Sequence, residues 1–364
     1  MTVDLDYLRQ RLHEMLLIPS PTGFTGELSR YVCRQLEALE VEFELTRRGT
    51  IVARIPGRSH APARAAVNHI DTIGAVVTAL KDNGRLALQP VGTWSSRFAE
   101  GGRVTVFTRN RAFRGQVLPL LASGHAFNKR VDTLPIAWDQ VEVRLNEPCA
   151  DAGSLANLGI RSGDLVAFDS DPEFSDNGYL LARHLDNKAG AAALLTALKT
   201  IRRRAEPPPI DFQAIFTVTE EIGTGAGASL SPDVVEFVGI DIGPVAPGQN
   251  ALETGVTLCA QDTSGPFDYH MLQKLKGLCR EHAIDFQVDV FRYYYSDANS
   301  AIRAGHEVRD ALITFGTDAT HGYERTHINS LESIARLLVA YSACEPLFPH
   351  VASDISKFPR LPTT

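Results

Sequence analysis

Six side chains of this 364-residue chain have the types and spacing to do chemistry together. His69, Asp71, Glu220, Glu221 and Asp241 each follow directly on a run that reads as a β-strand, and Asp186 stands where a helix should begin. In open α/β sheets functional groups collect at the carboxyl ends of the strands, so this spacing gathers imidazole and carboxylate on one rim. Such a set suits divalent cations. Two ions about 3.5–4 Å apart can share a bridging carboxylate and a water, polarise a carbonyl and generate hydroxide at neutral pH. The arrangement needs about five protein ligands and one unligated base.

Each candidate has a role open to it. In His69-Ile70-Asp71 the strand period of two puts both outer side chains on one face. His69 can then bind metal while Asp71 accepts its other ring N–H. Asp186, followed by Asn187, can place its two oxygens on two ions. In Glu220-Glu221 one carboxylate can ligate while its neighbour holds an attacking water as general base. Plain alternatives stand beside each. An H-x-D triplet arises by chance, paired glutamates commonly form a solvated edge, Asp186 suits a helix N-cap, and Asp241 suits a turn before Gly243-Pro244. The weight lies in their order.

The elements that must position them can be read from hydrophobic periodicity. Leu5, Leu8, Leu12, Met15 and Leu16 form one helical stripe, and Leu28, Tyr31, Val32, Leu36 and Leu39 a second. Strands are expected near 41–46, 50–55 and 64–68, the last running into His69. Between about 74 and 175 short β-type runs alternate with Gly, Asn, Asp and Ser turns and no helical period, which predicts an all-β module, a small barrel. Helix–strand alternation returns after Asp186: a helix over 187–204, strands at Phe212–Thr219, Val235–Ile240, Val256–Ala260, Phe286–Phe291 and Ala311–Phe315, and helices at Tyr269–Ala283 and Leu331–Cys344. The expected architecture is an α/β domain, residues 1–73 and 176–364, interrupted once by a β domain at 74–175.

Bulk properties exclude several classes. A formal net charge of −7 argues against a nucleic-acid partner. No stretch approaches the roughly 20 apolar residues of a membrane helix, and the first residues lack a basic-then-apolar leader. Five scattered cysteines without CxxC spacing suit free thiols in the cytoplasm and leave any metal to His and carboxylates. The glycines Gly223, Gly225 and Gly227 before Asp241 suggest a dinucleotide turn, but the spacing is G-x-G-x-G and Glu220 and Glu221 would repel a pyrophosphate.

The chain resembles the glutamyl-aminopeptidase-like family, two-metal aminopeptidases that assemble into tetrahedral particles. The resemblance is carried by Ser20-Pro21-Thr22-Gly23, N-H-I-D-T-I-G (68–74), H-L-D-N-K-A-G (184–190), T-V-T-E-E-I-G (217–223), G-I-D-I-G (239–243), S-D-A-N-S-A-I (296–302) and E-R-T-H-I-N-S-L-E (324–332). The long insertion between Asp71 and Asp186 is placed as in that family, whereas related carboxypeptidases and deacylases carry their second domain later. The resemblance implies a three-layer di-zinc-peptidase-like fold with a mixed central sheet. It implies His69, Asp186 and Asp241 around one divalent ion and Asp186, Glu221 and a late histidine around the other, with Zn, Co or Mn as the metal. Glu220 is implied as general base and Asp71 as the partner of His69. The family's late R-Y-x-H-S-x-x-E motif is altered here, so the last ligand rests on a choice between His327 and His321. His327, flanked by Arg325 and Glu332, is the expected one. The implied substrate is a short peptide with a free N-terminus, with a small acylated or amidated dipeptide as the alternative, and the implied assembly is a dimer-based dodecamer.

Overall fold

A computed structural model of the chain describes residues 2–347. The central sheet runs in the order Glu42–Leu45, Ile51–Ile55, Ile210–Thr217, Ser59–His69, Val234–Pro244, Arg309–Thr317, Val256–Asp262 and Gly265–Pro266, with Phe286–Val290 paired to Val256–Asp262. The four middle strands are parallel, and His69 lies opposite Thr217 in the register. Their carboxyl ends therefore share one rim.

Both faces of this sheet are buried, as parallel strands require. Alternation along a strand divides the core. Phe212, Ala214 and Phe216 face one layer, while Ile215 joins Ala65, Val67 and Phe237 in the other. The first layer holds the helices Leu5–Leu16, Gly26–Ala38, Leu185–Arg202, Tyr269–Glu281 and Ile328–Ala343. Asp4 starts the first of these by accepting the amide of Tyr7, and Leu8, Leu12, Met15 and Leu16 bury its apolar stripe. Helix Leu185–Arg202 is buried at every position from Leu185 to Leu198. Its many alanines and Gly190 let it sit between the sheet and the outer helices. A Cβ on Gly190 would fall 2.1 Å from Asn68 Oδ1 and 2.3 Å from Asn187 Oδ1, so only glycine lets the helix start lie against the strand that carries His69.

The β module forms a closed barrel of six strands: Gly74–Leu80, Leu86–Val91, Val141–Leu145, Ala112–Pro119, Arg103–Phe107 and Leu165–Phe168. It has a core of its own, including Val77, Leu88, Val104, Val106, Phe113, Val117, Val143 and Val166. Two features escape periodicity. Ala152–Asn157 is a short helix started by an Asp151–Ser154 capping box, too short to show a helical period. A small sheet joins Glu173–Phe174, Tyr179–Ala182 and Glu324–His327, and its third strand fixes where His327 lies.

Candidate active site

The rim brings His69, Asp186, Glu220, Glu221 and Asp241 together, as their spacing predicts. His69 Nε2 is 3.1 Å from Asp186 Oδ1 and 3.8 Å from both Glu220 Oε2 and Asp241 Oδ1. The other oxygen of Asp186, Oδ2, is 3.4 Å from His321 Nε2, which is itself 3.9 Å from Glu221 Oε2. His69, Asp186 and Glu221 can each offer one ligand atom within 4.8 Å of the others. Helix Leu185–Arg202 is not helical at Asp186 and Asn187, and their shared peptide is cis. Asn187 Nδ2 donates to the carbonyl of Ile240, tying this start to the strand that bears Asp241.

His327 is not part of this cluster, which corrects the expectation for the last histidine. Its ring is held at the start of the final helix, where Nδ1 accepts the amide of Asn329 and Nε2 meets the carbonyl of Asn177. The Glu324–His327 strand pairs His327 with Tyr179, away from the rim. His321 lies beside Asp186 and Glu221 instead, because the connection after strand Arg309–Thr317 folds back over the site ahead of strand Glu324–His327.

The role expected for Asp71 also needs correction. His69 Nδ1 bonds the backbone oxygen of Asp71 at 2.9 Å, while the Asp71 carboxylate is 3.7 Å away. That carboxylate is engaged elsewhere: it accepts the Thr22 hydroxyl at 2.7 Å and the amides of Glu220 and Glu221 at 3.1 and 3.3 Å. Asp71 therefore holds the turn that presents the two glutamates. Asp297 braces the same turn by accepting the Thr217 hydroxyl and the Ala226 amide.

The chemistry of the donor set calls for a cation. A carbonyl can only accept, so the contacts of His69 Nδ1 with Asp71 O and of His321 Nδ1 with Thr93 O put the ring proton on Nδ1 in both residues. Each Nε2 lone pair then faces carboxylates, and Asp186 Oδ1 is buried without a hydrogen-bond partner. The titration tendencies agree. Burial works to lower His69, but Asp186 and Asp241 hold it well above its usual range. His321 behaves likewise: burial lowers it, and Asp186 with Glu221 outweighs this, raising it to about 10. Burial, followed by the charge of Asp186, lifts Glu221 to about 8. Positive charge at both Nε2 positions, or metal ions in place of those protons, relieves this surplus of anions.

The Gly223–Gly227 segment is a pair of tight turns, Glu220–Ile222 and Gly225–Ala228, leading through a loop to strand Val234–Pro244. It has no crossover helix to cap a pyrophosphate, so the dinucleotide reading fails. Glu324 opens the run E-R-T-H-I-N-S-L-E. Its carboxylate accepts the amides of both Asp186 and His321, partners that its place at the start of the run carries no signal of.

A mixed α/β sheet with histidines and carboxylates on one rim, interrupted by a barrel, fits a metal-dependent hydrolase. The profile of the M42 glutamyl aminopeptidases matches residues 49–337, and the chain belongs to that family. YhfE of Bacillus subtilis (strain 168), whose aminopeptidase assignment is itself provisional, is 35% identical, with 91% of this chain and 95% of YhfE covered. The glutamyl aminopeptidase of Lactococcus lactis subsp. cremoris is 27% identical over 63% of this chain and 64% of its own. Among solved structures, the TET1 peptidase of Pyrococcus horikoshii superposes with a TM-score of 0.81 at 21% identity, covering 92% of this chain and 99% of that one. An aminopeptidase from Desulfurococcus kamchatkensis does so with a TM-score of 0.83 at 19% identity, covering 93% and 94%. Family and relatives support a metallo-aminopeptidase over a deacylase of small dipeptides.

Proposed function

We propose that the chain is a two-metal aminopeptidase in which His69 and Asp241 hold one divalent ion, Glu221 and His321 hold the other, and Asp186 bridges them. One observation carries this reading: the two oxygens of a single buried carboxylate, Asp186, face two different histidines. Ions so held would supply Lewis-acid polarisation of a peptide carbonyl and lower the pKa of water. Zinc is the favoured metal, and cobalt or manganese suits the same ligands.

The chain's own residues do the proton work. Glu220 reaches the rim with Oε2 and has no ligand role in this scheme. It takes a proton from the water that attacks the scissile carbonyl and returns it to the leaving amine nitrogen. Asp71 fixes Glu220 and Glu221 through their backbone amides. His69 and His321 keep their Nε2 lone pairs turned to the rim because Nδ1–H is spent on backbone carbonyls.

The substrate is a short peptide with a free N-terminus. Residues 1–73 and 176–364, of which residue 1 and residues 348–364 lie outside the described residues, would make up the catalytic domain, and 74–175 an inserted domain for assembly and access. The particle is a dimer-based dodecamer in the cytoplasm, where the cysteines stay reduced. The test is to strip the protein with a chelator, add back Zn, Co or Mn, and assay aminoacyl anilides, free peptides and N-acyl dipeptides while counting metal per chain. About two ions and activity confined to substrates with a free amine are expected. Active protein without bound metal, or preference for N-acyl dipeptides, would overturn the proposal.

A further inference from the structure

The loop that carries His321 is held from outside by two side-chain contacts, His321 Nδ1 with the carbonyl of Thr93 and the Tyr323 hydroxyl with the carbonyl of Asp171, and has few backbone bonds of its own. It leaves strand Arg309–Thr317 and returns into strand Glu324–His327, closed by paired backbone bonds between Asp318 and Arg325. Two of its residues with a Cβ, Ala319 and His321, have φ of 58° and 61°, a region such residues seldom occupy. A loop of this kind keeps its conformation only when surrounding contacts over-determine it. The loop's inner turn supplies just one more backbone bond, Gly322 N–H to Ala319 O.

Glu324 adds a restraint on the loop's backbone at His321 itself. Its side chain is buried, with Oε1 accepting the amide of His321 at 2.9 Å and Oε2 accepting the amide of Asp186 at 3.0 Å. One carboxylate thus ties together two backbone segments far apart in sequence. Each segment bears a residue of the same metal-binding set, and the two side chains meet 3.4 Å apart at Oδ2 and Nε2. Glu324 itself is not in that set: both of its oxygens face backbone amides.

We propose that Glu324 is a positioning residue whose two oxygens clamp Asp186 and His321 at the separation a shared metal ion requires. This rests on the two-metal reading above. The ion held by Glu221, His321 and Asp186 depends on both clamped residues, and the ion held by His69, Asp241 and Asp186 on only one. Removing the clamp should therefore weaken the first ion more than the second. A purely structural role would weaken both alike.

The experiment titrates metal-free protein with zinc against a chromophoric chelator, comparing wild type with Glu324→Gln and Glu324→Ala. Glutamine keeps the size but presents one acceptor oxygen and one N–H₂ group, so it can satisfy only one of the two amides. Wild type should show two tight sites. Both variants should keep one and weaken the other by about 10–100-fold. Saturating zinc should then restore kcat with KM unchanged. If Glu324→Ala fails to fold, Glu324→Gln alone decides. Two tight sites in Glu324→Gln, or equal weakening of both with a lower unfolding temperature, would overturn the clamp. A wild type that takes up no zinc would overturn the two-metal reading and the clamp with it.

Discussion

Glu220 and Glu221 are neighbours in sequence, yet their oxygens meet different groups. Glu221 Oε1 accepts the amide of Ile73 at 3.0 Å and Oε2 lies near His321, whereas Glu220 turns toward His69. Glu220→Gln should cut turnover by at least about 100-fold with metal content unchanged, since it removes a proton carrier and no ligand. Glu221→Gln should lower occupancy of one ion, as elemental analysis can show. Exchange of those two results would exchange the roles. The histidines allow an equally direct check. His321→Ala should lose about one ion per chain. His327→Ala should keep both ions and full kcat, and lose about 1 kcal/mol of stability because its ring caps the final helix. At this scale most of the rim was legible, because His69 ends strand Ser59–His69, Glu221 lies just beyond strand Ile210–Thr217, and Asp241 lies near the carboxyl end of strand Val234–Pro244. His321 was not. The choice fell on the histidine next to a helix, but nothing in the residues of a loop tells how far it folds back. The Asp71 carboxylate was misread for a related reason: spacing puts it on the face of His69 but cannot show that the turn amides compete for it.

Elements were more legible than contacts. Every long helix was anticipated, and the central strands were found to within a few residues, because Leu8, Leu12 and Met15 or Leu331, Ile334 and Leu338 mark a buried face. What stayed hidden was short. The three-stranded sheet around Tyr179–Ala182 and the helix Asp297–Arg303 are set by tertiary contacts, and four to seven residues do not display a period. Strand Arg309–Thr317 carries a testable consequence of its burial. Burial lifts Asp310 to about 6, with the charges of Asp268 and Asp262 adding to the shift and the amides of Asp310 and Asp268 opposing it. A carboxyl group raised above its unfolded value of about 3.9 favours the folded state while it is protonated. Its contribution is full below that value and is lost as the pH climbs through about 6. Asp310→Asn, neutral at every pH, should raise the unfolding temperature relative to wild type at pH 8 and leave it unchanged at pH 4. Calorimetry at the two values measures this, and an equal shift at both would assign the effect to packing.

For the whole molecule the question is what the barrel is for. It holds its own core, so the catalytic sheet does not need it for burial. It also has no acid or histidine on the rim. It nevertheless reaches the site: the carbonyl of Thr93 accepts His321 Nδ1–H at 3.1 Å, and a Cβ on Gly92 would sit 3.3 Å from Glu221 Oε2. The segment that follows barrel strand Leu86–Val91 thus fixes the tautomer of one histidine and walls one glutamate. In the proposed assembly, a contact between copies that shifted the barrel would also shift Thr93. A particle about twelve times the 39.7 kDa chain is expected by light scattering. If the proposed dodecamer admits substrate only through narrow openings, its activity should fall steeply with substrate length, with tripeptides cleaved readily and a folded protein not at all. Mild dissociation should then do two things at once: admit longer peptides, and lower turnover on short ones as Thr93 loses its hold on His321. A dissociated form that gains long substrates with no loss on tripeptides would separate the two roles and leave the barrel as a gate alone.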